Sequence, residues 1–121
     1  MKTEGRMGQI LIIDDDQSIR SILFMVLTEL GYGVKVAENG EEGVALFDMI
    51  SDFDLVITDI NMPGMSGNEV GKHIRDSPKA DTPLVAITAF PDEIQKDMFN
   101  FSLIKPFDLE DLQNVVESFA H

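Results

Sequence analysis

Three short apolar runs decide what this chain can become: Ile10-Leu11-Ile12-Ile13, Leu55-Val56-Ile57-Thr58 and Leu84-Val85-Ala86-Ile87. Each is too short for a core helix and too continuously apolar for a sheet with one wet face. Each therefore reads as a strand covered on both sides. The segments between them carry helical periodicity. Ile19, Ile22, Leu23, Val26, Leu27 and Leu30 recur at the spacing of one helix face, and Gly31 follows as a terminator. Val44, Phe47 and Ile50 mark the inner face of a second helix, and Val70 and Ile74 that of a third. Ile94 and Met98 follow Pro91 in a short fourth helix, and Leu109, Leu112, Val116 and Phe119 line a fifth. Asn39 with Glu42, and Ser66 with Glu69, have the offset of capping boxes, and Asp108 is placed to cap the last helix.

Two thinner segments complete the pattern. Val34 and Val36 alternate with Gly33 and Lys35, and Phe101–Ile104 is short and mixed, so both suit sheet edges. Five strands alternating with five helices imply an α/β fold with a doubly wound parallel sheet. Placing the doubly buried strands inside gives the order 2-1-3-4-5. This is the flavodoxin-like order, whose switch point lies between the first and third strands.

Asp14 and Asp15 stand just past the first strand and Asp59 just past the third, so three carboxylates are expected at the edge where such sheets bind ligands. Two like charges about 5 Å apart repel by about 3 kcal/mol at an effective dielectric of 20. A hard dication with oxygen ligands is the natural occupant. Asp16, the next residue, is expected to cap the first helix rather than to act as a ligand.

The 121 residues suffice for one domain with one core. Residues 1–8 are polar and expected to form a frayed extension, with Met7 as an alternative start and residues 9–121 as the folded domain. Twenty-two acidic against nine basic residues give a net charge of −13, which argues against nucleic-acid binding through this domain. The absence of cysteine excludes disulfides, zinc–thiolate sites and thiol catalysis. No apolar run has the length of a membrane span or a secretory signal, so a soluble cytoplasmic protein is expected. The seven methionines are expected to fill the core, Met62 and Met65 beside the site loop, and His73 to lie exposed in mid-helix.

Four motifs then carry a resemblance: Ile12-Ile13-Asp14-Asp15-Asp16, Asp59 followed by Met62-Pro63-Gly64, Ile87-Thr88-Ala89, and Lys105-Pro106-Phe107. Together they resemble the receiver domain of response regulators, the CheY-like module of two-component signal transduction, over nearly the whole chain. The resemblance implies that Asp59 accepts a phosphoryl group from a sensor histidine kinase or a histidine phosphotransfer protein. It implies Mg²⁺, with Mn²⁺ as a possible substitute, held by Asp14, Asp15, Asp59 and the backbone carbonyl of Asn61. Lys105 would neutralise a phosphoryl oxygen and Thr88 would donate a hydrogen bond to another, with Ala89 leaving room for the group. A cis peptide at Pro106 would aim the lysine. Such a module is a signalling element rather than an enzyme in the ordinary sense. With nothing after His121, its output is expected through protein–protein contacts, as a monomer or a phosphorylation-dependent dimer, with an output partner that no residue here names.

One departure stands out. Between Thr88 and Lys105 the chain is shorter than the usual receiver by about five residues, close to one and a half helical turns. The fourth helix is therefore expected to be shortened. By register from Lys105, the aromatic that usually couples the site to the output face falls on Ser102, with Phe101 beside it, so an atypical output movement is expected. Two other readings remain open at this stage. One is a receiver-shaped scaffold that is never phosphorylated. The other is a small phosphatase with an aspartate nucleophile, a class that wants a second aspartate where this chain has Asn61.

Overall fold

The computed structural model of the chain describes residues 8–50 and 52–120. Residues 1–7, to which most of the expected extension and the alternative start Met7 belong, lie outside it, as does His121. Gly8, assigned above to the extension, is buried, and its carbonyl accepts the Gly33 N–H at 3.1 Å.

Five strands form one parallel sheet: β1 (Gln9–Ile13), β2 (Gly33–Ala37), β3 (Leu55–Asp59), β4 (Leu84–Thr88) and β5 (Phe101–Ile104). Their order is β2-β1-β3-β4-β5, with every pairing parallel, so the flavodoxin-like topology holds. β3 and β4 are buried at every residue and β1 at all but its first, whereas the edge strands β2 and β5 are mixed. Successive side chains of a strand point to opposite faces. Ile10 and Ile12 of β1 accordingly join one apolar cluster with Leu23, Leu27, Leu112 and Val116, while Leu11 and Ile13 join another with Phe47, Val70 and Ile74. These clusters put α1 (Gln17–Glu29) and α4 (Leu109–Phe119) on one face of the sheet. They put α2 (Gly40–Met49) and α3 (Gly67–Arg75) on the other.

The helix starts follow their caps. Asp16 accepts the Ser18 and Ile19 N–H groups, Ser66 and Glu69 form a complete capping box, and Asp108 accepts the Asp111 N–H. The expected box at Asn39 is half formed. Asn39 takes the Glu42 N–H, but the Glu42 carboxylate turns back one residue further, to the Glu38 N–H at 2.7 Å.

The fourth helix is not merely shortened. Two 3₁₀ turns, Pro91–Glu93 and Lys96–Met98, stand where it was expected, so the described residues form four α-helices rather than five. The stretch is instead held as single 3₁₀ turns, the form that short connectors often take, by hydrogen bonds from Asn68 and Arg75 of α3. Four side chains assigned inward are open to solvent: Ile22, Leu109, Met25 and Met49 are 44%, 49%, 55% and 76% exposed. Val115 rather than Leu109 fills the space under α4. Among the described residues, no helix is long and apolar enough to cross a membrane.

Candidate functional site

The strand register builds the site one step at a time. Ile13 pairs with Thr58, so Asp14 and Asp59 both follow the same rung of the β1–β3 ladder. Asp59 pairs with Ile87, and Thr88 is the next residue of β4; Thr88 pairs with Ile104, and Lys105 comes next. Neighbouring strands lie about 4.8 Å apart, so each of these side chains is offset by one strand from the last along a single edge. A carboxylate oxygen from each of Asp14, Asp15 and Asp59 falls within 4.8 Å of the others. Asp14 is fully buried, Asp59 is nearly so and Asp15 is exposed.

Lys105 closes the cluster. Its Nζ lies 3.3 Å from Asp14 Oδ2 and 3.4 Å from Asp59 Oδ2. Its peptide bond to Pro106 is cis. Thr88 is fully buried; its hydroxyl oxygen accepts the Phe90 N–H at 2.9 Å, and among the described residues no hydrogen bond takes up its hydroxyl hydrogen. Ala89 is exposed beside it. The Asn61 N–H donates to Asp59 Oδ1 at 3.3 Å, which puts the backbone two residues past Asp59 against its carboxylate.

The carboxylates are held by the backbone around them. Asp14 Oδ1 accepts the Asp16 N–H at 2.9 Å, and Arg20 donates through Nη1 to the Asp14 carbonyl at 2.8 Å. Gly67 opens α3 directly against the end of β3. A Cβ there would overlap the Asp59 carbonyl oxygen and come within 2.8 Å of Ile60 Cα, so only glycine lets helix and strand approach so closely. Gly64, with φ +75°, turns the intervening loop, and Glu41 of α2 accepts the Met65 N–H at 3.2 Å from the far side. Glycine is read easily in a sequence, but the glutamate is not, because its partner lies 24 residues away. His73 is half-buried rather than exposed, with Nε2 2.9 and 3.0 Å from the two oxygens of Asp48, away from the site.

Burial raises the Asp14 pKa above the ordinary carboxylate value, against the Asp16 N–H and Lys105, which lower it. Burial and then the charge of Asp14 raise that of Asp59, again against Lys105. Burial works against the charge of Lys105, but the two carboxylates outweigh it and its pKa stands above the ordinary lysine value. Three acids against one ammonium leave the edge with an excess of negative charge. All the side-chain donors are hard oxygens, as Mg²⁺ or Mn²⁺ requires, and their spacing and raised pKa values fit such an ion.

Comparison with known proteins agrees with this geometry. The family model described as the response regulator receiver domain matches residues 10–117. A probable transcriptional regulator, ycf27 of Cyanidium caldarium, is 37% identical over 97% of this chain, which spans about half (48%) of that relative's length. The chemotaxis protein CheY4 of Vibrio cholerae superposes with a TM-score of 0.85 at 32% identity, covering 93% of this chain and 98% of that one. The response regulator TrrA of Thermotoga maritima, solved in complex with Mg²⁺ and BeF, does so with a TM-score of 0.84 at 36% identity and the same coverage. The chain belongs to the response-regulator receiver domain family, the CheY-like signalling modules of two-component systems.

Proposed function

We propose that this receiver domain takes a phosphoryl group onto Asp59 from a phosphohistidine of a sensor kinase or phosphotransfer protein. The observation that carries the reading is the convergence of Asp14, Asp15 and Asp59 within 4.8 Å, with Lys105 closing on two of them. A carboxylate oxygen of Asp59 forms the new P–O bond as the donor's P–N bond breaks, and the bonding pair returns to the imidazole. Asp14, Asp15, Asp59 and the Asn61 carbonyl would hold Mg²⁺, or Mn²⁺ in its place. Bound there, the ion supplies positive charge to the oxygens of the transferring group.

Lys105 is a point charge that can leave the carboxylates for a phosphoryl oxygen. The Thr88 hydroxyl hydrogen, with no acceptor among the described residues, is available to another oxygen. Beside Lys105 an apolar depression of about 530 Å³ runs between Ile19 and Ile22 of α1 and Phe107 and Leu109. It offers a phosphohistidine-bearing partner an apolar footing next to the acceptor. This domain itself passes its state on by protein–protein contacts rather than by binding nucleic acid, consistent with the net charge of −13.

The test is to treat the protein with a small phosphodonor and Mg²⁺, reduce with borohydride and map the peptides. Conversion of Asp59 to homoserine is the expected result. Labelling at a histidine, or at a different acid, would overturn the assignment.

A further inference from the structure

The stretch Phe90–Asn100 stands in place of the fourth helix, and two side chains of α3 hold it. Near its start, the Asn68 carboxamide donates to the Glu93 carbonyl at 2.7 Å and accepts the Gln95 N–H at 2.9 Å. Near its end, Arg75 donates to the Met98 carbonyl at 2.9 Å and to Asn100 Oδ1 at 3.0 Å. The two anchors differ in kind. Arg75 also binds the carbonyls of Ala80 and Thr82, and Asn100 Oδ1 accepts the Leu84 N–H, so the far end is tied into the frame of the sheet. The near end has only one 3₁₀ turn without a side-chain cap, exposed from Pro91 to Glu93, with Ile94 buried behind it. Few apolar contacts and exposed backbone hydrogen bonds are the marks of a segment that shifts at low cost.

That near end touches the acceptor site. The Thr88 hydroxyl accepts the Phe90 N–H, the Phe90 carbonyl accepts the Glu93 N–H at 3.0 Å, and the Glu93 carbonyl accepts Asn68. A chain of three hydrogen bonds thus joins a buried hydroxyl at the site to the second residue of α3. Along β5 the Lys105 N–H donates to the Thr88 carbonyl at 2.8 Å, but among the described residues no side chain of the strand extends that link. Ser102, paired with Ala86, is small, and Phe101 points to the opposite face of its strand and is 48% exposed.

We propose that Asn68 is a relay. When the Thr88 hydroxyl turns toward a group on Asp59, the Phe90–Gln95 turn shifts, and the Asn68 carboxamide carries that shift into the first turn of α3. The rim formed by α3 and this turn, rather than β5 and α4, then reports the state of the site. The inference rests on the phosphoacceptor reading of Asp59.

The experiment compares hydrogen–deuterium exchange of the full chain with and without Mg²⁺ and beryllofluoride, a stable mimic of the phosphoryl group. Wild type should change exchange at residues 90–96 and in the first turn of α3. In Asn68→Ala the change at 90–96 should persist while that in α3 falls by about fivefold or more, a loss of coupling in the range usual between linked sites. Asn68→Asp keeps the acceptor for Gln95 and a favourable charge at the helix start, loses the donor, and should behave as Asn68→Ala without loss of fold. An α3 response equal in wild type and both variants, or a response confined to residues 101–115, would overturn the relay. No thermal shift with Mg²⁺ and beryllofluoride would instead overturn the phosphoacceptor reading beneath it.

Discussion

Neutralising Asp59 should stabilise the metal-free protein and at the same time abolish its response to Mg²⁺. At the 4.8 Å limit of the cluster, Asp14 and Asp59 repel by about 3.5 kcal/mol at an effective dielectric of 20. Lys105 at 3.4 Å attracts Asp59 by about 5 kcal/mol on the same scale. Exposed Asp15 is screened by water and repels by about 1 kcal/mol. The charge terms nearly cancel, so burial decides, and its direction is set by the raised pKa of Asp59. Asp59→Asn keeps the shape and removes the buried charge. In chelator the variant should gain on the order of 1 kcal/mol, or a Tm rise of about 4 °C for a domain of this size. Mg²⁺ at a hundred times its Kd should add about 2.7 kcal/mol to wild type. It should add far less to the variant, which has lost a ligand. Differential scanning fluorimetry in chelator and in Mg²⁺ reads both effects. A variant less stable than wild type in chelator, or equal Mg²⁺ shifts in both proteins, would refute the account of a repelling cluster awaiting a cation.

Three more outcomes follow from the same geometry. Because the folded-state pKa values of Asp14 and Asp59 are raised, their protonation favours the fold. The contribution is full below the unfolded value of 3.8 and is lost as pH rises through the raised values. Metal-free wild type should therefore gain stability relative to Asp59→Asn as pH falls from 7 toward 4, and urea midpoints across that range would show no convergence if the direction is wrong. Gly67→Ala drives a methyl into the Asp59 carbonyl. It should cost about 1–3 kcal/mol as overpacking does, visible as a lower denaturation midpoint. Arg75→Lys should cost about 2 kcal/mol, because a point charge cannot serve the four acceptors that the guanidinium fork reaches. A midpoint unchanged by Arg75→Lys would mean that the far end of the 90–100 stretch is held by packing alone.

The sheet and its edge were legible because they depend on short-range patterns. A short, almost continuously apolar run reads as a covered strand, and an aspartate one residue past it falls at the sheet edge, so Asp14 and Asp59 were placed by counting, while Lys105, after a mixed run, came from the resemblance. The caps at Asp16, Ser66 and Asp108 were legible for the same reason. What escaped was decided by partners distant in sequence. Asn68 finds Glu93 and Gln95, and Arg75 finds Met98 and Asn100, more than 20 residues away; Glu41 finds Met65 across the site loop, and nothing local marks any of these pairings. Helical spacing alone also could not tell a residue at the margin of a buried stripe from one inside it. Ile22 and Leu109 had the right period, yet both face the depression beside Lys105. The shortened stretch before β5 was visible as a deficit of residues, but its resolution into 3₁₀ turns depended on how α3 grips it.

The most direct test of the central claim is the intact mass of the protein after incubation with acetyl phosphate, with and without Mg²⁺, beside Asp59→Asn. A single phosphoryl adduct that requires Mg²⁺ and is absent from the variant is the predicted result. An unmodified wild-type protein under all conditions, or an adduct that survives in Asp59→Asn, would contradict it.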